Sequence, residues 1–355
     1  SDLSKIIEST NIGEFLRVID RHAKSGQQNL VKIPDSASLH NAIVKLSLNK
    51  VHSLIVFKPT ENTTITSSKQ PIAHDEQGHE IIGFIDMFDI VKFVLESGGA
   101  SLTADKWHQV VSKSLVREAV NFSGRDPFRV FHKHDPLSFV VSRMSIGVHR
   151  VGVIAHNHEL VAVISQSDVA RFIGMFVEEL PGKYKQASIA QCLSPRASVS
   201  GETKATTNNR KVHAVIAQST TALEAFAKMI EKEISTIAVI DEKTQHFLTS
   251  LSISDFGYEP VQHTGDEATL VKQCFDRLNS CVLDYLAKEK SQMRRHTLKP
   301  CMIEESTTLE CVIVKLALSQ NYHAWIVDPK TNKVSALISL TDLLPLISFL
   351  PLHID

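Results

Sequence analysis

The sequence predicts an α/β fold built from four copies of one β-α-β-β-α unit, and three observations carry that prediction. A four-residue pattern closes an apolar run four times: Asp86-Met87-Phe88-Asp89, Ser165-Gln166-Ser167-Asp168, Ser252-Ile253-Ser254-Asp255 and Ser339-Leu340-Thr341-Asp342. Upstream of each lies an apolar set at helical spacing: Leu39, Ala42, Ile43, Leu46; Leu137, Val140, Val141, Met144; Leu223, Phe226, Ala227, Ile230; and Leu309, Val312, Ile313, Leu316. Between helix and tetrad run two short β-rich stretches joined by a polar turn, as in Ile237 to Ile240 and Phe247 to Leu251 around Asp241 to Gln245. Self-similarity at a fixed period is the signature of a repeat architecture.

Start signals support the helices in order. Asp135 precedes Pro136, and Thr221 with Glu224 and Thr307 with Glu310 have capping-box spacing. The first helical leucine and the tetrad aspartate are almost equally far apart in units two to four. Unit one is longer by Pro59 to Glu80, a Thr-, Ser-, Gln- and His-rich stretch that predicts a mobile surface loop. A second polar stretch, Ser194 to Lys211, separates units two and three and sets the expected boundary between domains 1–190 and 191–355. Within them the repeats fall at about 30–96, 128–180, 211–260 and 298–350. The connector Ala268 to Met293 is amphipathic and predicts helix packed on the domain. Gly257 and Pro260 interrupt the helix after the third tetrad.

At 355 residues, with 43% hydrophobic and 22% charged residues, the chain is long enough to bury two ordinary cores. A net charge of -1 offers no basic field for a nucleic-acid backbone. No apolar run reaches bilayer length, and Ser1 to Glu8 does not read as a secretory signal, so the expectation is a cytoplasmic protein, with the nucleus open, and no membrane partner. Five cysteines, Cys192, Cys274, Cys281, Cys301 and Cys311, lie in no zinc spacing and read as reduced, mostly buried thiols.

An apolar strand, a Ser or Thr, two residues, an Asp and then a helix, repeated four times over roughly residues 30 to 350, resembles cystathionine-β-synthase (CBS) domains. The arrangement is similar to the gamma subunit of AMP-activated protein kinase and its fungal and plant relatives. The resemblance implies two paired modules, which can form a disk, with clefts that bind AMP, ADP or ATP and no other cofactor. It implies a non-catalytic regulatory subunit whose partners are kinase catalytic and scaffold subunits or another regulatory protein. The alternative is a stand-alone scaffold, or a phosphatase or kinase regulator, without functional nucleotide binding. The family glycine three residues before the Ser or Thr survives only as Gly83; Ala162, Thr249 and Ala336 replace it.

The resemblance assigns ribose to Asp168, Asp255, Asp342 and Asp89, since an ionised carboxylate can accept two vicinal hydroxyls. The competing reading is that each aspartate only caps a helix. Phosphates would be met by residues opening the strand after the first helix. Unit two has the fullest kit, with His149 and Arg150 alongside Ser165, Ser167 and Asp168; the alternative is a solvated basic pair at a strand edge. Unit four offers His323, Ser339, Thr341 and Asp342. Unit three keeps Ser252, Ser254 and Asp255 but no basic pair. In unit one Asp86 stands where the family has a hydroxyl and would repel an anion, so that unit reads as structural or as a seat for a neutral ligand.

His132 with His134 and His156 with His158 invite a metal reading, but solvated turn residues are the expectation and no metal is assigned. Walker loop, Gly-x-Ser-x-Gly elbow and His-Glu-x-x-His helix are all missing from the sequence, and catalysis is not expected.

Overall fold

In the computed structural model the described residues are 3–22, 30–59, 73–99, 102–193, 212–256, 267–292, 300–319 and 322–348. The expected loop 194–211 lies outside them, as do 60–72 of the unit-one insertion.

Each unit folds as expected around a three-stranded sheet. Unit one has β1 (Lys32–Pro34), β2 (Ser53–Lys58) and β3 (Glu80–Asp86), and unit two β4 (Val130–His132), β5 (Arg150–Ile154) and β6 (Leu160–Ser165). Unit three has β7 (Ala214–Ile216), β8 (Thr236–Ile240) and β9 (Phe247–Ser252), and unit four β10 (Cys301–Ile303), β11 (His323–Val327) and β12 (Val334–Ser339). The first strand runs parallel to the second because a helix crosses between them; the second and third form an antiparallel hairpin. Register then repeats: Ser53 faces Asp86, Arg150 faces Ser165, Thr236 faces Ser252 and His323 faces Ser339. The residue that opens the middle strand is therefore always opposite the residue that opens the tetrad.

Two kinds of core join the units. Sheet residues Ile55, Ile81 and Phe84 of unit one pack with Ile154 and Leu160 of unit two, and Ala238 and Phe247 of unit three pack with Trp325 and Val327 of unit four. Helices pair the other way: the larger apolar clusters join unit one to unit three and unit two to unit four. Gly174 marks how closely helix Gln166–Met175 of unit two meets helix Leu309–Ser319, since a Cβ there would lie 2.6 Å from Ala317 Cβ.

Four connectors close the units with one backbone device. Leu137 N–H donates to Thr10 O, Leu39 to Ser114, Leu309 to Ala187 and Ala222 to Ser280. In return Ile12, Val116, Ile189 and Val282 donate to the loops preceding the same helices. The N-terminal helices Leu3–Ser9 and Ile12–His22 thus serve unit two, and Ala104–Lys113 with Val116–Ala119 serve unit one. The expected connector helix is present as Glu267–Leu278 and Val282–Gln292, which serve unit three.

Several expectations need correction. The end of the unit-one insertion is built into the protein: buried Asp75 accepts the N–H groups of Gln77 and His79 and pairs with Lys32, and His74 bridges to the unit-two hairpin through His158 and Leu160. Asp75 can be buried because its carboxylate has these partners and the His79 ring. Only Cys274 and Cys301 are buried, while Cys311 is exposed. The third tetrad itself forms a single 3-10 turn, Ile253–Asp255, and Gly257 and Pro260 lie in 257–266, outside the described residues.

Candidate functional site

All four tetrads converge on one central cavity of about 950 Å³. The shared register places the middle-strand residue beside the tetrad in every unit, and the crossed helix pairing turns the four junctions toward one another. Of the expected site residues, His149, Arg150, Ser165, Ser167, Asp168, Ser252, His323, Ser339, Thr341 and Asp342 line the cavity; Asp255 is not among its lining.

The tetrads are capping boxes, and this relocates the predicted cap. The first residue caps, and the aspartate three positions on reaches back. Asp168 Oδ2 accepts the Ser165 N–H at 2.9 Å and its hydroxyl at 2.6 Å; Asp342 Oδ2 accepts the same groups of Ser339 at 2.8 and 2.6 Å. One oxygen of each carboxylate is thereby spent. The other oxygen of Asp168 has Arg171 Nη2 at 3.5 Å. Capping and ligand binding are compatible on these two residues.

The other two aspartates differ. Asp255 accepts the Ser252 N–H at 2.7 Å, and its carbonyl takes the Tyr285 hydroxyl at 2.8 Å. Asp89 is buried, accepting from Asp86 N–H and Ser123 N–H through separate oxygens. Burial, together with the Asp86 charge, pushes Asp89 up to about 7. Neither is among the residues lining the cavity.

The basic kit of unit two is held by carboxylates. Arg150 Nη2 lies 3.3 Å from Asp86 Oδ2 and Arg150 Nε 3.7 Å from Asp126 Oδ2. His149 donates its backbone N–H to Asp126 at 2.7 Å, with Nδ1 3.0 Å from the same oxygen. Burial alone would raise the Asp126 carboxyl; the His149 hydrogen bonds and the Arg150 charge outweigh it and hold Asp126 at about 2. His323 Nε2 is 3.4 Å from Ser235 Oγ, and burial, followed by the charges of His149 and Arg125, drives it down to about 4. The guanidinium of Arg125 stands over the Phe88 ring at 4.1 Å.

Tyr322, Arg125 and Asp126 were not singled out from the sequence. Tyr322 meets His52 edge to face at 5.1 Å, joining units four and one across the cavity wall. The shared register places it where the other units carry His52, His149 and Ser235, a position that the irregular spacing before the fourth middle strand hides in the sequence. Asp126 follows no motif. The Ser167 hydroxyl is buried in the cavity wall beside the Tyr322 hydroxyl. The histidines 132, 134, 156 and 158 cluster with ring centroids 5.0 to 6.4 Å apart, but no group able to hold a metal ion occurs among the described residues. Among these residues, too, no helix is long and apolar enough to cross a membrane.

Comparison with known proteins agrees with this architecture. A structure from Methanocaldococcus jannaschii, proposed as an archaeal homologue of γ-AMPK, matches with a TM-score of 0.60 at 13% identity, covering 90% of this chain and 96% of that one. Two curated fungal relatives carry the name Protein SDS23. That of Scheffersomyces stipitis is 20% identical over 329 residues, 88% of this chain and 58% of its own length. That of Kluyveromyces lactis is 24% identical over 253 residues, 66% and 46% respectively. The chain spans about half the length of the curated relatives it matches. No family model matches it. The fold is that of four CBS repeats.

Proposed function

We propose that this chain is a non-catalytic regulatory protein that takes an adenine nucleotide, AMP, ADP or ATP, into its central cavity and passes occupancy on to a protein partner. The observation that carries the reading is the convergence of all four tetrads on a single cavity of about 950 Å³, within the range of small-molecule sites. Asp168 and Asp342 each keep one carboxylate oxygen outside the capping box for a ribose hydroxyl, and Ser167 adds a hydroxyl to the cavity wall. His149, His323, Arg125 and Arg171 supply donors for phosphates. A ligand that touches several units favours one packing of them, and a partner bound outside senses the shift, typically by about 1 to 3 kcal/mol. Kinase subunits or another regulatory protein are the partner class that the four-repeat likeness favours, in the cytoplasm or the nucleus.

Calorimetric titration with AMP, ADP and ATP tests the reading, with a thermal shift as the second readout. Saturable heat is expected for at least one nucleotide. No heat and no shift at millimolar ligand would leave the second reading, a CBS scaffold or phosphatase regulator without a nucleotide. One observation favours that second reading: Arg150, the strongest candidate phosphate clamp, is already neutralised from both sides.

A further inference from the structure

Asp86 does more than a capping residue must. Its Oδ1 accepts the Asp89 N–H at 3.0 Å and caps helix Met87–Gly98, a task that serine performs at the matching position in the other three units. Its second oxygen has no counterpart in those units. It projects to Arg150 Nη2 at 3.3 Å, and both side chains are largely withdrawn from solvent, with 18% and 12% of their area exposed. Both also line the cavity. Arg150 opens β5 opposite Ser165, so its guanidinium stands at the place where an anionic group held by the unit-two tetrad would arrive. Asp86 fills that place from the neighbouring unit.

We propose that Asp86 is an internal anion seated on Arg150, a specificity determinant that denies this corner of the cavity to the phosphoryl or carboxylate group of a ligand. The assignment rests on the cavity being a ligand site, but not on the ligand being an adenine nucleotide. Pinned through its capping oxygen, Asp86 does not need to move to exert its effect. A second anion approaching Arg150 meets the carboxylate at close range in a partly desolvated setting, where like charges repel strongly. Anionic groups are steered toward Arg125, Arg171 and the histidines, and uncharged parts of a ligand are left to fill the corner. Asp126, 3.7 Å from Arg150 Nε and fixed by His149, stays in place when Asp86 is changed and limits the gain.

The test uses inorganic pyrophosphate, which lacks base and ribose, so that it reads the anion seat separately from nucleotide recognition. Asp86→Ser gives unit one the cap of its siblings and removes the charge. Calorimetry should show pyrophosphate binding to Asp86→Ser at least tenfold more tightly than to the unaltered protein, and the gain should vanish in the Asp86→Ser, Arg150→Gln double variant. Adenosine, which carries no anion, should bind both proteins alike. Equal pyrophosphate affinity before and after the serine substitution overturns the proposal, as does a gain that survives loss of Arg150. If the serine variant is poorly folded, Asp86→Asn retains an acceptor for the cap without the charge; a gain of threefold or more supports the assignment, and none overturns it. Failure of the nucleotide reading would appear separately, as absent AMP binding to the unaltered protein.

Discussion

The side-chain nitrogen of Gln166 donates to the Thr341 hydroxyl at 3.0 Å, tying the second residue of one tetrad to the third residue of another. The same nitrogen lies 3.1 and 3.2 Å from the carbonyls of Met144 and Val148, so one buried amide secures the end of helix Leu137–Met144 and the seam between units two and four. Thr341→Val should cost about 1 kcal/mol, the net worth of one hydrogen bond. Gln166→Ala should cost about 1 to 3 kcal/mol, because it leaves buried carbonyls unmatched. Urea unfolding of both single variants and the double variant checks this, and the two losses should fall short of additive.

Asp168 and Asp342 separate recognition from capping. Since each acts from the third helical position, asparagine retains one acceptor for the serine, and the ligand-free melting temperature should hardly move. Nucleotide affinity should fall about tenfold, as a charged acceptor worth about 1 to 3 kcal/mol is lost. Ser165→Ala should do the reverse, costing about 1 kcal/mol of stability with little effect on binding. Titration paired with thermal melts of each variant distinguishes the two roles.

His323 predicts a response to acid. Its folded value, near 4, lies below the unfolded value near 6.5, so its contribution is fully present above pH 6.5 and is lost as pH falls toward 4. The loss should reach on the order of 3 kcal/mol. Chemical unfolding between pH 4 and 7 should show this slope flattened in His323→Gln. A phosphate near the ring would favour its protonated form, so nucleotide binding at pH 6 should take up protons, seen as heats that depend on the buffer.

His74 predicts the opposite sign. Its Nδ1 is 2.9 Å from the Asp75 carbonyl and its Nε2 2.6 Å from the Asn157 carbonyl, an arrangement in which only the imidazolium can donate twice. The Asp75 carbonyl first, opposed by burial and aided by the Asn157 carbonyl and the Glu159 and Asp75 charges, raises its pKa. The stabilisation is fully present below about pH 6.5 and fades as pH rises through the folded value. Amide exchange at Leu160, whose N–H donates to His74 O, should quicken from pH 6 to 8 beyond the intrinsic rate. In His74→Ala the excess should disappear.

The repeated units were legible because period and capping chemistry are local. Leu39 to Leu46 and its three counterparts announce a buried helical face whatever lies opposite. Which faces meet was not legible: nothing in the sequence pairs the helices of unit one with those of unit three. The connector device was present as Asn11-Ile12, Leu115-Val116, Ser188-Ile189 and Cys281-Val282, but two-residue signals at irregular spacing carry little weight until the backbone shows their common bond. For the cavity, residue types at each tetrad were legible and their partners were not. Arg150 looks like a phosphate clamp until Asp86 and Asp126, 64 and 24 positions earlier, are seen against it. The insertion misled for a related reason, since the polar composition of Asp75 to His79 gives no hint that its groups satisfy one another.

The crossed helix pairing also bears on how the four seats could diverge. Two identical chains meeting through such faces would be bound by symmetry to repeat every substitution, so any residue useful at one seat would be imposed on its mate. Here both halves lie on one chain, and each position is free of its counterpart. A carboxylate can stand in one corner, a tyrosine can close another wall, and a glutamine can fasten a third without any of them appearing twice. One enclosure can therefore present several chemically distinct corners on its wall.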